Sequence, residues 1–247
     1  MKVSTPLMPA LAAASLMTAT ASAEVINIDF QAFSDIANGN TYAALGAAPD
    51  DPANTTWNSV QFDDITNPVS LVNSAGMASS VELTSHVATN NIFPSTQTGA
   101  AAANVSGGTD GAPVHSAHAL LREFISQFGG VATLTLDGLD PSATYDLYLY
   151  GGGNSEGADT RFTVGGNAQD TTGTAAATTD LTLGEDYVVF TGIAPDVSGS
   201  LSIQWQQIAP GPAGFYGLQV VEVIPEPGSM SLLGAGMAVV AFRRRKS

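Results

Sequence analysis

The chain has no cysteine, so neither a disulfide framework nor a thiolate metal site of the zinc-finger type is open to it, and its fold must hold by burial alone. Positive charge is nearly as scarce. Of the 22 Asp and Glu residues all but Glu226 fall between Glu24 and Ile224, where the only Lys or Arg residues are Arg122 and Arg161. A surface of that sign repels phosphate backbones and excludes nucleic acid as a partner. The carboxylates are dispersed rather than blocked, as on a solvated acidic surface in a salty or calcium-containing medium. Long apolar runs are missing too. The stretch from Ser229 to Phe242 would extend only about 21 Å as a helix, against a hydrocarbon core of about 30 Å, which is short for a permanent span.

What is there begins at the two ends. Pro225-Glu226-Pro227 precedes that apolar stretch, and Arg243, Arg244, Arg245 and Lys246 stop it. Such a basic flank stays on the cytoplasmic side of a membrane, which puts Pro-Glu-Pro on the outer side. An ordinary tail anchor or a terminal core strand needs neither the Pro-Glu-Pro nor the tetrabasic stop. A temporary anchor that presents Pro-Glu-Pro to a membrane-embedded processing enzyme uses both. At the other end, Lys2, an apolar region from Leu7 to Met17 and the small residues Ala21 and Ala23 around Ser22 form a secretory signal peptide with a cleavage site after Ala23. Pro6 and Pro9 argue against a buried N-terminal helix. The organisation expected is therefore a signal peptide over 1–23, one domain over 24–224 and a sorting segment over 225–247.

Val223-Ile224-Pro225-Glu226-Pro227-Gly228-Ser229, Leu232-Leu233-Gly234 and the basic cluster closely resemble the C-termini of PEP-CTERM proteins from bacteria with an outer membrane. The resemblance covers about a tenth of the chain. It implies passage through the export machinery and a short C-terminal transmembrane helix as a transient anchor in the inner membrane. Recognition by an exosortase-type enzyme follows, and then release or attachment at the cell surface, often in producers of extracellular polysaccharide.

Between the ends the chain reads as β. Val131 to Leu136 and Leu201 to Gln206 alternate at period two, which sets Ala132, Leu134 and Leu136, and then Leu201, Ile203 and Trp205, on single faces. Further strands are expected at Val25 to Phe33, Val81 to Val87, Thr144 to Tyr150, Thr160 to Val164, Tyr187 to Thr191 and Phe215 to Val223. Turn clusters such as Asp137-Gly138-Leu139-Asp140-Pro141 and Pro195-Asp196-Val197-Ser198-Gly199 separate them. About 200 residues of this kind suit one all-β domain, an antiparallel sandwich or jelly roll. Ser95 to Pro113, rich in small residues, is expected to be a surface loop. His115 to Phe128 reads either as a short helix, from the spacing of His118, Leu121, Arg122 and Ile125, or as a loop followed by a strand. Leu120 to Ile125, Gly129-Gly130 and the run from Leu136 to Gly151, a Gly-Leu-Asp-Pro turn feeding a Tyr-Asp-Leu-Tyr-Leu-Tyr strand, resemble galactose-binding-like jelly rolls. That pattern speaks to fold and little to ligand.

Each chemical motif competes with a plainer reading. Gly153-Asn154-Ser155-Glu156-Gly157 has the Gly-x-Ser-x-Gly form of a nucleophile elbow, but the residues after it read as a strand instead of a helix. All three histidines (His86, His115 and His118) also precede Ser155, against the order of an α/β-hydrolase. A hairpin loop explains the glycines as well, so a secreted hydrolase is the distant alternative and no catalytic residue is assigned. His115 and His118, with Asp110 or Glu123, have metal-ligand spacing only if the segment is helical; surface histidines are the simpler reading. Asp50-Asp51, Asp63-Asp64 and Glu185-Asp186 are adjacent pairs, which face opposite ways on a strand and so do not flank a glycoside. They read as solvated loops. Asn154, Glu156 and Asp159 form an oxygen-rich loop suited to a structural calcium ion, although no defined calcium motif is present and no other cofactor is implied. Trp57, Tyr42 and Tyr216, at or near loops, are candidate platforms for stacking on pyranose rings, while Trp205 belongs to the core. The sequence thus points to an exported, non-enzymatic cell-surface or matrix protein, with a carbohydrate-binding module facing extracellular polysaccharide as the first alternative.

Overall fold

The computed structural model describes residues 23–31, 41–44, 46–48, 55–61, 68–87, 92–96, 120–121, 123–152, 158–172 and 181–224. They form two facing sheets. One has eight strands: β1 (Val25–Gln31), β2 (Thr41–Ala44), β3 (Thr55–Gln61), β6 (Ile92–Thr96), β7 (Glu123–Gln127), β9 (Thr144–Gly152), β12 (Tyr187–Ile193) and β14 (Ala213–Val223). The other has six: β4 (Val69–Val72), β5 (Ala78–Val87), β8 (Val131–Asp137), β10 (Thr160–Val164), β11 (Asn167–Thr171) and β13 (Leu201–Gln207). From β8 onward the chain changes sheet at each connection except the β10–β11 hairpin, the crossing pattern of a sandwich in the jelly-roll manner. All pairings are antiparallel apart from β1 with β3.

Side-chain alternation builds the space between the sheets. Ala132, Leu134 and Leu136 of β8 and Leu201, Ile203 and Trp205 of β13 are buried, while Ser202 and Gln204 between them are exposed. Ile26, Ile28 and Phe30 of β1, Leu147 and Leu149 of β9, and Val188 and Phe190 of β12 meet them from the other sheet. Each such Leu, Ile or Phe contributes about 1.5–3 kcal/mol of burial. Phe215 is the aromatic centre, in edge contact with Phe30 at 5.0 Å and Phe162 at 4.9 Å. The all-β expectation holds, as does the face assigned to β8 and β13.

Two expectations need correction, and the open reading of His115 to Phe128 is met in part. Gly153 to Gly157 lie outside the described residues, and the strands on either side of them do not make the expected hairpin, because β9 lies in the eight-stranded sheet and β10 in the other, paired with β11 and β13. The stretch up to Phe128 ends in a strand, Glu123–Gln127, with Phe215 opposite Ile125, while residues 115–119 lie outside the described ones. β3, β4 and β11 show no clear alternation of burial, and β6 takes in Ser95 and Thr96 from the expected loop.

The two turn clusters lock together at one end of the sandwich. Gly138 and Gly199 both have φ of 81°, a conformation open to glycine. A Cβ on Gly138 would stand 2.0 Å from the Ser80 carbonyl oxygen, and one on Gly199 would stand 2.3 Å from that of Leu139. The closeness is used: Leu139 N–H donates to the Gly199 carbonyl at 3.1 Å. In each turn an aspartate holds the backbone, Asp140 Oδ1 accepting from Ser142 N–H and Asp196 Oδ1 from Ser198 and Ser200 N–H, at 2.8 to 2.9 Å.

Candidate functional site

The strand that leads into the sorting segment is the most deeply placed element of the domain. β14 pairs with β9 along one side and, on the other, with β7 at its start and then with β1. Its first nine residues are buried. Phe215, Leu218 and Val220 face the inter-sheet core, and Tyr216 and Val221 belong to a second apolar layer on the outer side of the same sheet. The chain leaves the sandwich at Val223 and Ile224, beside the place where it enters at Glu24, whose carbonyl accepts from Glu222 N–H at 2.9 Å.

The outer layer contains two of the sequence-derived platform residues, and it corrects their role. Trp57 lies in β3 and is fully buried, its ring 6.2 Å from that of Tyr150. Tyr216 lies in the middle of β14, also fully buried, 4.9 Å from Phe124. Neither presents a face to a sugar at the surface. Tyr42 is in strand β2 rather than a loop, opposite Trp57 in register. The physical reason for burial is that residues 46–48 and 120–121 and the chain around Leu181 lie over this face of the sheet. Trp205 is core, as expected.

Beneath that cover runs a polar network that alternation alone misreads as solvent-facing. Gln219 Nε2 donates to Asn27 Oδ1 at 2.9 Å, and Gln219 Oε1 accepts from Ala48 N–H at 3.1 Å and from the Tyr150 hydroxyl. Tyr150 Oη in turn accepts from Ala47 N–H at 2.7 Å. Asn27 Nδ2 donates to the Thr56 carbonyl at 3.0 Å. On the opposite, inner face, Asn58 ties β3 to β4 of the facing sheet, accepting from Val72 N–H and donating to the Val72 and Asn27 carbonyls, each at 2.8 Å. These bonds satisfy groups that would otherwise be costly to bury. Trp57 Nε1 and Ser59 Oγ, on the outer face, are buried without a partner.

Glu185-Asp186 was expected in a solvated loop; Asp186 is instead buried. Its Oδ2 accepts from Thr182 N–H at 2.8 Å and its carbonyl from Gly151 N–H at 3.0 Å, which fastens the cover to β9. Burial pushes its carboxyl above the ordinary range, against the Thr182 hydrogen bond, and Glu185 adds to the rise. The turn aspartates go the other way. The Ser142 hydroxyl, then its N–H, hold Asp140 low; the Ser198 hydroxyl and the Ser200 and Ser198 N–H groups do the same for Asp196. Arg161 forms a two-pronged pair with Asp170 across β10 and β11, both contacts 2.7 Å.

Most other sequence-derived candidates fall outside the described residues. Asn154, Ser155, Glu156, His115, His118 and Asp110, and the pairs Asp50-Asp51 and Asp63-Asp64, lie outside the described residues, as do Ala21 and the whole of 225–247 with Pro225, Glu226, Pro227 and the basic cluster. Asp159 precedes β10, Glu123 opens β7 opposite Thr96, and His86 pairs with Leu134. The residues after the Gly-x-Ser-x-Gly motif do form a strand. Among the described residues no three His, Asp or Glu side chains gather as a metal group, and no helix is long and apolar enough to cross a membrane.

Comparison with known proteins gives one family match: residues 223–246 fit the PEP-CTERM protein-sorting motif. No curated protein matches the chain. Among solved structures, a family 35 carbohydrate binding module from Clostridium thermocellum is 21% identical, with a TM-score of 0.29 over 52% of this chain and 88% of its own. A Podospora anserina GH26-CBM35 β-(1,4)-mannanase is 11% identical, with a TM-score of 0.30 over 66% of this chain and 29% of its own. Residues 223–246 therefore carry a PEP-CTERM protein-sorting motif, and the match begins at Val223, the last residue of β14.

Proposed function

We propose that this is an exported cell-surface or extracellular-matrix protein whose β-sandwich is the non-catalytic cargo of its C-terminal sorting motif. The observation that carries this reading is the junction. β14 ends at Val223, where the motif begins, so an exosortase-type enzyme can remove 225–247 without taking a single residue from the sandwich. The apolar stretch serves as a transient inner-membrane anchor, and the sandwich is then released or attached outside. Changing Pro225, Glu226 and Pro227 to Ala should leave export intact and cause a larger, membrane-bound form to accumulate. If fractionation and immunoblotting instead show the triple variant at the same size and place as the wild type, the motif is not what processes this chain.

Carbohydrate binding is the second reading. It rests on Tyr187, which is partly exposed at the margin of the outer layer and stacked on Tyr148 at 6.3 Å. A glycan array that shows no binding by the exported protein rejects it. Calcium at Asn154, Glu156 and Asp159 belongs to the same proposal. Millimolar calcium should raise the melting temperature more than sodium at equal ionic strength, through binding to the folded state alone, and joint replacement of Glu156 and Asp159 should abolish the difference.

A further inference from the structure

At the end of the sandwich where the chain enters and leaves, Val25 stands opposite Val221, and the backbone nitrogen of Glu24 donates to Glu222 Oε2 at 3.3 Å. While Ala23 precedes it, that nitrogen is a neutral amide with one hydrogen. Its surroundings are anionic. Glu222 is opposite Tyr145 in register, and the carboxylates of Glu222, Asp140 and Glu24 all bear on the Tyr145 phenol. Arg161, the one Lys or Arg among the described residues, is engaged with Asp170. The sequence places a signal cleavage site between Ala23 and Glu24. Hydrolysis there takes up one water: Ala23 departs with a new carboxylate that holds the water oxygen, and Glu24 keeps the nitrogen, which gains both hydrogens of the water and becomes an ammonium.

We propose that signal-peptide cleavage creates an ion pair between the new Glu24 α-ammonium and the Glu222 carboxylate, fastening β1 to β14 only after export. The proposal rests on the export reading for the position of the cut, and on the structure for the partner. A pair of opposite full charges replaces an amide donor bonded to a carboxylate at the same place, and one positive charge is placed against Glu222. The first and last strands of the domain, already adjacent, are thereby joined by a contact that the precursor cannot make.

The test uses the full chain, exported and recovered from the producing cells. Its only lysines, Lys2 and Lys246, lie in the segments expected to be removed, so an acetylating N-hydroxysuccinimide ester reads the α-amino group nearly alone. The N-terminal peptide is followed by mass spectrometry over a pH series. The midpoint of acylation in the wild type should lie about one pH unit above that of Glu222→Gln, a roughly tenfold slower reaction at pH 7. An N-terminus other than Glu24 would remove the cleavage reading, and the ion pair with it. A Glu24 terminus whose midpoint is the same in both proteins would remove the ion pair alone. Should the Gln variant fail to accumulate, the wild type decides by itself: a midpoint clearly above the ordinary α-amino value of about 8 supports the pair, and one at or below it overturns it.

Discussion

The space between the two sheets and the layer outside the eight-stranded sheet are both buried, but by different means. The inner core is made by strands meeting strands, and its residues are mostly Leu, Ile, Val and Phe at alternate positions, with Trp205 among them. The outer layer is made by strands meeting irregular chain, and it combines Trp57, Tyr150 and Tyr216 with the hydrogen-bonded Asn27 and Gln219. Where the covering element is another sheet, every backbone group is already paired and the side chains need only pack. Where it is a loop such as 46–48, the backbone brings N–H groups that need partners, and buried amides and a tyrosine hydroxyl supply them. One sheet thus has an apolar buried face and a second buried face of aromatic rings and hydrogen-bonded amides, with β14 buried on both.

The largest expected effect tests the inner face. Ile203→Asp puts a charge with no partner among apolar side chains and should unfold the domain, whereas Gln204→Asp, one residue along and exposed, should change stability by less than about 0.5 kcal/mol. Equal effects in chemical denaturation would mean the faces are inverted. Trp57→Ala tests whether the outer layer is a second core. A loss of about 3–5 kcal/mol is expected for a buried tryptophan, and a near-silent change would return Trp57 to the role of an exposed platform. Gln219→Ala should take away about 1–3 kcal/mol, because Ala48 N–H, Tyr150 Oη and Asn27 Oδ1 lose their shared partner; Gln204→Ala, on the exposed face of β13, should take away almost nothing.

The smallest effect separates the two regions by pH. Asp140 and Asp196 have lowered folded pKa values, so the stability they add is present above the unfolded value of about 3.9 and is lost as pH falls through the folded one. Asp186 has a raised value, so the stability linked to its protonated form is present below about 3.9 and is lost as pH rises toward the folded value. Melting curves between pH 3 and 7 should therefore flatten on the acid side in Asp196→Asn. In Asp186→Asn the decline with rising pH should disappear. The same shift in both variants would show that the buried and exposed carboxylates do not differ as the structure places them.

This contrast also explains what was legible in the sequence. β8, β10 and β13 were readable because each has one face on the opposite sheet and the other in water, and the residues alternate accordingly. β3 was not readable, because Trp57, Asn58, Ser59 and Val60 are all buried, so polarity no longer tells in from out. Trp57 and Tyr216 looked like surface aromatics for the same reason: their cover comes from segments with no strand pattern of their own. The sorting motif needed no fold to be read, since a membrane and a processing enzyme meet it as a linear pattern of Pro-Glu-Pro, apolar residues and cations.

The most direct test of the whole scheme is the intact mass of the wild-type protein recovered from outside the cell. A chain that begins at Glu24 and lacks Arg243, Arg244, Arg245 and Lys246 is the expected product, with the sandwich complete through Val223. A recovered chain that still carries the basic cluster would contradict it, whatever the sandwich turns out to bind.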